Sequence, residues 1–186
     1  MAKVTLVYPY FQPRKDNSIF RFPPLGLGYV AAALKKRGFH VELVDCTFLA
    51  EQEAVEKVKQ SKPDIIGVYS MFSMKKTSLE LARQLRGSCS LMVTGGPLPT
   101  LDPTDFLEVF DVAAVGEGEE TMVELAECFE SGLPFSTVKG IAYKKDGQVE
   151  FTSPRGFVED LDSLAFPARE LFDDEAYMEY YRKKFG

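Results

Sequence analysis

Asp64-Ile-Ile-Gly-Val-Tyr69 decides the fold. The run is apolar on consecutive residues, short, and rich in β-branched side chains. A strand of that make-up is buried on both faces, as a central strand of a parallel sheet is. Working outward, residues 3–8 (KVTLVY), 40–44 (HVELV), 91–93 and 112–115 read as further strands. Stretches of helical period separate them. Residues 25–37 (LGLGYVAAALKKR) form a helix stopped by Gly38. Residues 51–60 carry Val55 and Val58 on one face, and residues 75–85 carry Leu79, Ala82 and Leu85. Residues 104–109 make a short helix. Residues 119–130 turn Met122, Leu125, Ala126 and Phe129 inward, and Gly132 ends them. Strand and helix alternating five times give a parallel sheet with helices on both faces. Right-handed crossovers make this an α/β, Rossmann-like (flavodoxin-like) three-layer sandwich around a five-stranded parallel sheet.

The pattern changes after Gly132. Residues 138–143 and 149–152 flank Lys144-Lys-Asp-Gly147, and Asp-Gly is a strong hairpin signal. A small C-terminal β-hairpin on the sheet edge is expected. Acids, prolines and aromatics then mix without period, with a helix expected toward residue 185. The organisation read from this is a Rossmann-like domain over residues 1–135, an edge hairpin over 136–152 and a connector over 153–186. The last residues carry no closing signal, so the chain is expected to be a piece of a longer protein.

Composition narrows the function. The 186 residues carry 22 Lys and Arg against 28 Asp and Glu, a net charge of −6. Nucleic-acid binding needs a basic field that displaces counterions from phosphates, and this chain offers the opposite. No apolar run approaches the ~20 residues that span a bilayer. Cys46, Cys89 and Cys128 are far apart and show neither disulfide nor zinc spacing. Free thiols and the lack of a signal-peptide pattern point to the cytoplasm.

In doubly wound sheets, ligands bind outside the carboxyl ends of the strands. The loop after the first strand, residues 9–24, is long and holds Tyr10, Phe11, Phe20 and Phe22 with Arg14, Lys15 and Arg21 between them. Gly26-x-Gly28 resembles part of a dinucleotide fingerprint, with Asp45 nineteen residues after Gly26. The glycines sit too far beyond the first strand for the tight turn of that motif, so the expectation is helix-on-sheet packing. Ser70-Met-Phe-Ser-Met74 follows the third strand, and Ser73 is a possible cap for the next helix. Gly95-Gly-Pro97 follows the fourth strand and Gly116-Glu-Gly118 the fifth, where missing Cβ atoms let backbone approach a ligand. Catalytic readings fail on inventory. His40 starts a strand, at the end opposite these loops, and no nucleophile elbow is present.

Five segments, in order, carry a resemblance: residues 23–34 (PPLGLGYVAAAL), 38–45 (GFHVELVD), 64–68 (DIIGV), Gly95-Gly-Pro97 and 116–119 (GEGE). Together they resemble the N-terminal cobalamin-binding domain of cobalamin-dependent radical S-adenosylmethionine enzymes, a group that includes anaerobic magnesium-protoporphyrin IX monomethyl ester cyclases. Residues 159–168 (EDLDSLAFPA) resemble the connector into the radical domain of such enzymes. The resemblance implies a cobalamin held over the strand ends by Tyr10, Ser70, Met71, Phe72, Ser73, Gly95, Gly96, Pro97, Gly116, Glu117 and Gly118. Met74 would face the corrin or its partner domain. The nucleotide tail would lie in a slot between the loops, near Gly95 and Gly96. Relatives read Gly-Gly-Pro-His-Pro-Thr, and this chain has Leu98 in the histidine's place. No Asp-x-His-x-x-Gly is present either, so no histidine is expected on the cobalt. The iron–sulfur cluster motif Cys-x-x-x-Cys-x-x-Cys is absent. The cluster and S-adenosylmethionine would belong to a C-terminal radical domain, with a small-molecule substrate, and this chain alone would be inactive. Two other readings stand beside this one. The domain could be a cofactor-less docking or substrate-recognition module of the same fold, which Leu98 motivates. It could also be a dinucleotide- or flavin-binding domain, which Gly26-x-Gly28 motivates.

Overall fold

Parallel strands joined by helical crossovers build the centre of the molecule. The computed structural model describes residues 1–11 and 21–186. Arg14, Lys15 and Phe20 of the first loop therefore lie outside the described residues. The elements are β1 (Lys3–Tyr8), α1 (Leu25–Lys36), β2 (His40–Asp45), α2 (Glu51–Gln60), β3 (Ile65–Tyr69), α3 (Lys75–Leu85), β4 (Leu91–Gly95), α4 (Pro97–Leu101), β5 (Val112–Ala114), α5 (Glu119–Ser131), β6 (Ile141–Lys145), β7 (Gln148–Phe151) and α6 (Asp174–Phe185). They form one sheet of order β2-β1-β3-β4-β5-β6-β7. The first five strands pair in parallel, and β6 pairs antiparallel with β5. The expected five-stranded parallel sheet with an edge hairpin is thus observed, fused into seven strands.

Period-two alternation sorts the core into two layers. Val4, Leu6, Ile65 and Val93 face α1 and α5 with Ala31, Leu34, Leu125 and Ala126. Val7, Ile66, Val68 and Met92 face α2 and α3 with Val55, Val58, Leu81 and Leu85. Ile65, Ile66 and Val68 of β3 are all buried, as the reading of that run requires. Strand order reverses between β1 and β3, so the switch point lies where their carboxyl ends part.

Details differ where turns decide. The hairpin turn is the Asp-Gly pair itself, Asp146 at φ 51° and Gly147 at φ 79°, and the strands run closer to it than the expected 138–143 and 149–152. Left-handed residues at both positions match the twist of the flanking strands and pair Lys145 with Gln148. The short helix expected over 104–109 is a single 3₁₀ turn, Phe106–Glu108, because Asp102-Pro103 and the tight return to β5 leave no room for more.

The tail returns over the body. Ala168 N donates to Gly28 O at 3.0 Å, and Arg155 donates to Thr121 Oγ1 at 2.9 Å and to Glu124 Oε2 at 2.5 Å. A Cβ on Gly28 would stand 2.7 Å from the Phe172 ring and 3.1 Å from Pro167. Gly28 therefore admits the connector, which corrects the expected helix-on-sheet role. Among the described residues, no helix is long and apolar enough to cross a membrane.

Candidate cofactor cleft at the carboxyl rim

The carboxyl rim of the sheet divides into an open half and a closed half. The open half lies over the ends of β3, β4 and β5, between α1 and the start of α5. It holds a cleft of about 240 Å³. Leu6, Gly67, Val93 and Met122 form its floor, Gly26, Leu27 and Val30 one wall, and Gly95, Gly96, Gly116 and Gly118 the lips. The floor depends on Gly67, because a Cβ there would stand 2.9 Å from Leu6 Cδ2 and 3.5 Å from Met122 Cε. The lip depends on Gly96, at φ 106°, where a Cβ would meet Ser70 O at 2.7 Å and the Tyr69 ring at 2.9 Å. An L side chain rarely adopts such a backbone, so glycine is what permits this turn.

The residues expected at the site fall into three groups. Gly95, Gly96, Gly116, Glu117 and Gly118 line the cleft together. Ser70 is buried and turns away from the cleft, its Oγ 3.0 Å from Ser78 Oγ. It acts through its backbone instead: its N–H donates to Gly95 O at 2.8 Å and clips the β3 loop to the β4 loop. Met71, Phe72 and Ser73 stand exposed on the outer rim, Phe72 at 84% exposure. α3 begins from Met74 without a side-chain cap, so the expected Ser73 cap is not formed. Met74, expected toward the corrin or its partner domain, is buried within the protein. Pro97 is exposed at the first position of α4. Leu98 is partly buried against the α2–α3 core layer.

Tyr10 belongs to the closed half, stacked 6.1 Å from Tyr8, which in turn stands 5.5 Å from Tyr69. Here the tail seals the rim. Tyr177 of α6 is 5% exposed; its hydroxyl donates to Asp45 Oδ2 at 2.5 Å, and its ring meets Phe48 edge-on at 4.9 Å. Thr47 donates to Asp45 Oδ1 from N at 2.9 Å and from Oγ1 at 2.6 Å. Tyr181 accepts from Arg21 N at 2.9 Å and donates to Arg21 O at 2.7 Å. The Arg21 guanidinium lies over both Tyr10 and Tyr180. Burial pushes the Tyr8 hydroxyl up to about 12, with Tyr69, Asp45 and Tyr10 adding to it. Burial and then Asp45 push Tyr177 up as well. Asp45, the acid that a ribose would need, is thus held by Thr47 and Tyr177. Gly26 and Gly28 lie inside α1 rather than in a tight turn after β1. His40 is exposed at the far end of β2, 3.6 Å from Glu42.

Sequence reading passed over Gly67, Tyr69 and Met122. A glycine in the middle of an otherwise β-branched strand marks a close approach, and Gly67 was the available signal. Met122 was read as core, and it is core that also faces a cavity. Glu117 does two things at once. It borders the cleft, and its Oε2 accepts from Val158 N at 2.9 Å, tying the connector to the lip.

Comparison with known proteins places this geometry. An uncharacterized methyltransferase of Pyrococcus horikoshii is 27% identical over 163 residues, 83% of this chain and 35% of that protein. An anaerobic magnesium-protoporphyrin IX monomethyl ester cyclase of Synechocystis sp. is 32% identical over 173 residues, 88% of this chain and 34% of that protein. The chain therefore spans about a third of the length of these curated relatives. Among solved structures, the cobalamin-dependent S-adenosylmethionine radical enzyme OxsB, with aqua-cobalamin and S-adenosylmethionine bound, matches 97% of this chain and 25% of its own. The TM-score is 0.82 at 24% identity. The radical S-adenosylmethionine methyltransferase TsrM of Kitasatospora setae matches 84% of this chain and 31% of its own, with a TM-score of 0.72 at 20% identity. At those identities the likeness is one of fold. A family model described as the B12 binding domain matches residues 16–126, which run from ahead of α1 through most of α5 and take in every glycine of the cleft. The chain belongs to the B12 binding domain family.

Proposed function

We propose that this chain binds cobalamin across the open half of the rim, as the cofactor module of a larger cobalamin-dependent radical S-adenosylmethionine enzyme. The cleft carries the proposal. Its walls are glycine backbone and apolar side chains, suited to a flat apolar group with polar edges. Its size fits too: an apolar cavity of about 150 Å³ accepts benzene, so 240 Å³ leaves room for a fused bicyclic aromatic such as the base of the nucleotide tail. Gly95, Gly96, Gly116 and Gly118 would let the tail run against backbone, and Leu6, Gly67 and Met122 would receive its end. Tyr69, Met71 and Phe72 would border the corrin, with Tyr10, Ser73 and Pro97 on the outer margin and Ser70 holding the two loops together. Bound there, cobalamin supplies a cobalt centre that can carry a methyl group or an electron. The protein's own part is to bind and orient it, and to keep the cleft free of side chains.

Residues 1–135 would form this module, 136–152 the hairpin that ends its sheet, and 153–186 the lead into a C-terminal radical domain. That domain would hold the iron–sulfur cluster, S-adenosylmethionine and a small-molecule substrate, in the cytoplasm, and this chain would be inactive without it. Methyl transfer and oxidative cyclisation are the two activities in keeping with the relatives. The open cleft favours this reading over a cofactor-less docking module, in which apolar side chains would fill that space. Mixing the chain with hydroxocobalamin, desalting and recording the visible spectrum tests it. Retained corrin absorbance supports the proposal, and a colourless protein fraction rejects it.

A further inference from the structure

We infer that the cleft selects corrinoids by their lower base, accepting an apolar benzimidazole and rejecting a purine. The inference rests on the cobalamin reading of the same cleft. Its interior is bounded by Leu6, Leu27, Val30, Val93, Ala114 and Met122, whose side chains offer no donor and, in Met122 Sδ, only a weak acceptor. Two lining residues carry hydroxyls, Thr94 and Tyr69; Thr94 Oγ1 is buried and donates to Val68 O at 3.2 Å, and the Tyr69 ring lies against the Gly96 turn at the lip. The strand backbone beneath is consumed by the parallel ladders of β3 with β4 and of β4 with β5. Carboxylates stand only at the mouth, on Glu117 and Glu119, and Glu117 already accepts from Val158 N.

A base pushed into this interior finds dispersion contacts and hardly any polar partner. Dimethylbenzimidazole asks for little there, since it presents two methyl groups and a single free ring nitrogen. Adenine presents two further ring nitrogens and an exocyclic amine. Each polar group buried without a partner forfeits its hydration with nothing in return. Gly67 and Met122 set the depth of the cleft, because a Cβ at Gly67 would crowd Leu6 Cδ2 at 2.9 Å and rest against Met122 Cε at 3.5 Å. They are the specificity-determining positions.

The test compares three ligands on the 186-residue chain by spectroscopic titration: cobalamin, its adenine-base analogue, and cobinamide, which has no base. Cobalamin is expected to bind roughly 10- to 100-fold tighter than the adenine analogue, the cost of one or two unpaired groups. Equal affinity for those two overturns the inference, as does cobinamide binding as tightly as cobalamin. If none of the three binds, the cobalamin reading itself falls and takes this inference with it. Two variants sharpen the result. Gly67→Ala should weaken cobalamin while leaving cobinamide unchanged, which also shows that the variant is folded. Met122→Gln, which places an amide on the floor, should bring the two base-bearing ligands to within about threefold of each other. An unchanged preference in a Met122→Gln protein that still binds cobinamide counts against the assignment. If either variant fails to fold, the three-ligand series on the unmodified chain decides alone.

Discussion

The two halves of the rim stand on the same sheet and end in opposite chemistry. At β4 and β5 the chain leaves the sheet through Gly95-Gly96 and Gly116-Glu-Gly118, and the space above stays open. At β1 and β2 it leaves through Tyr8 and Asp45, and rings and hydrogen bonds from a segment about 130 residues away fill the space. The strand ends alone therefore do not make a site. What decides is side-chain volume, and whether the polar groups exposed at the strand ends find partners within the chain. On the closed half Asp45 has Thr47 and Tyr177. On the open half there is almost nothing polar to satisfy, so an apolar hollow remains. Tyr69 stands between the two, 5.5 Å from Tyr8 on one side and against the Gly96 turn on the other.

If the halves are independent, breaking the closed one leaves binding intact. Tyr177→Ala removes a buried ring from Phe48 and a hydroxyl from Asp45, and should cost about 3 kcal/mol in chemical denaturation. Cobalamin retention by the folded variant is expected to stay at the level of the unmodified chain. A parallel loss of cofactor would mean that α6 holds the cleft open, and the division of the rim would fail. Gly96→Ala is the counterpart on the open half. The unfavourable backbone angle and the approach to Ser70 O should cost about 2 kcal/mol. Here cobalamin retention should fall with stability, because the lip itself moves.

Alkaline titration separates the halves without mutation. Tyr8 ionises at about 12 in the folded chain against an ordinary 10.0. Its neutral form is the one that the fold favours. That contribution is whole below pH 10 and is lost as the pH rises toward 12. Phenolate absorbance from the buried rings should therefore lag behind that of exposed tyrosines and rise together with loss of the near-ultraviolet dichroism of the closed half. A single titration step near the ordinary value would show that the closed half is looser than its hydrogen bonds imply.

Much of this was legible in the sequence. The shift between period two and helical period along residues 3–131 placed the five parallel strands and α1, α2, α3 and α5, because each buries a face that its own residues define, whereas the short α4, read as a loop, is too brief to show a period. The open half was legible for a related reason: a glycine at a strand end is a local statement about missing volume. The closed half was not. Tyr177 and Asp45 lie 132 residues apart, and neither carries a local mark of the other. Ser70 misled for a similar reason. A serine at a strand end reads as a ligand contact, and only the packing of α3 shows its hydroxyl committed to Ser78. The connector, read as extended, is held by Gly28, Glu117 and Thr121, residues whose sequence signals pointed elsewhere.

The smallest expected effect concerns two glycines two residues apart, on opposite faces of one helix. Both sit in α1, where alanine is favoured over glycine by up to about 1 kcal/mol. A Cβ on Gly26 meets nothing within 4 Å, while one on Gly28 meets the Phe172 ring at 2.7 Å. Gly26→Ala should therefore stabilise the chain by about 0.5–1 kcal/mol. It should also weaken cobalamin binding, since the added methyl stands on the cleft wall. Gly28→Ala should show no net gain, because the helix preference is offset by pushing Phe172 outward. Its mark should be faster proteolysis within residues 153–173, with cobalamin binding unchanged. The pair tests the division of the molecule at its finest grain. One face of α1 serves the cofactor and the other serves the connector, and a methyl group on each should disturb only its own side.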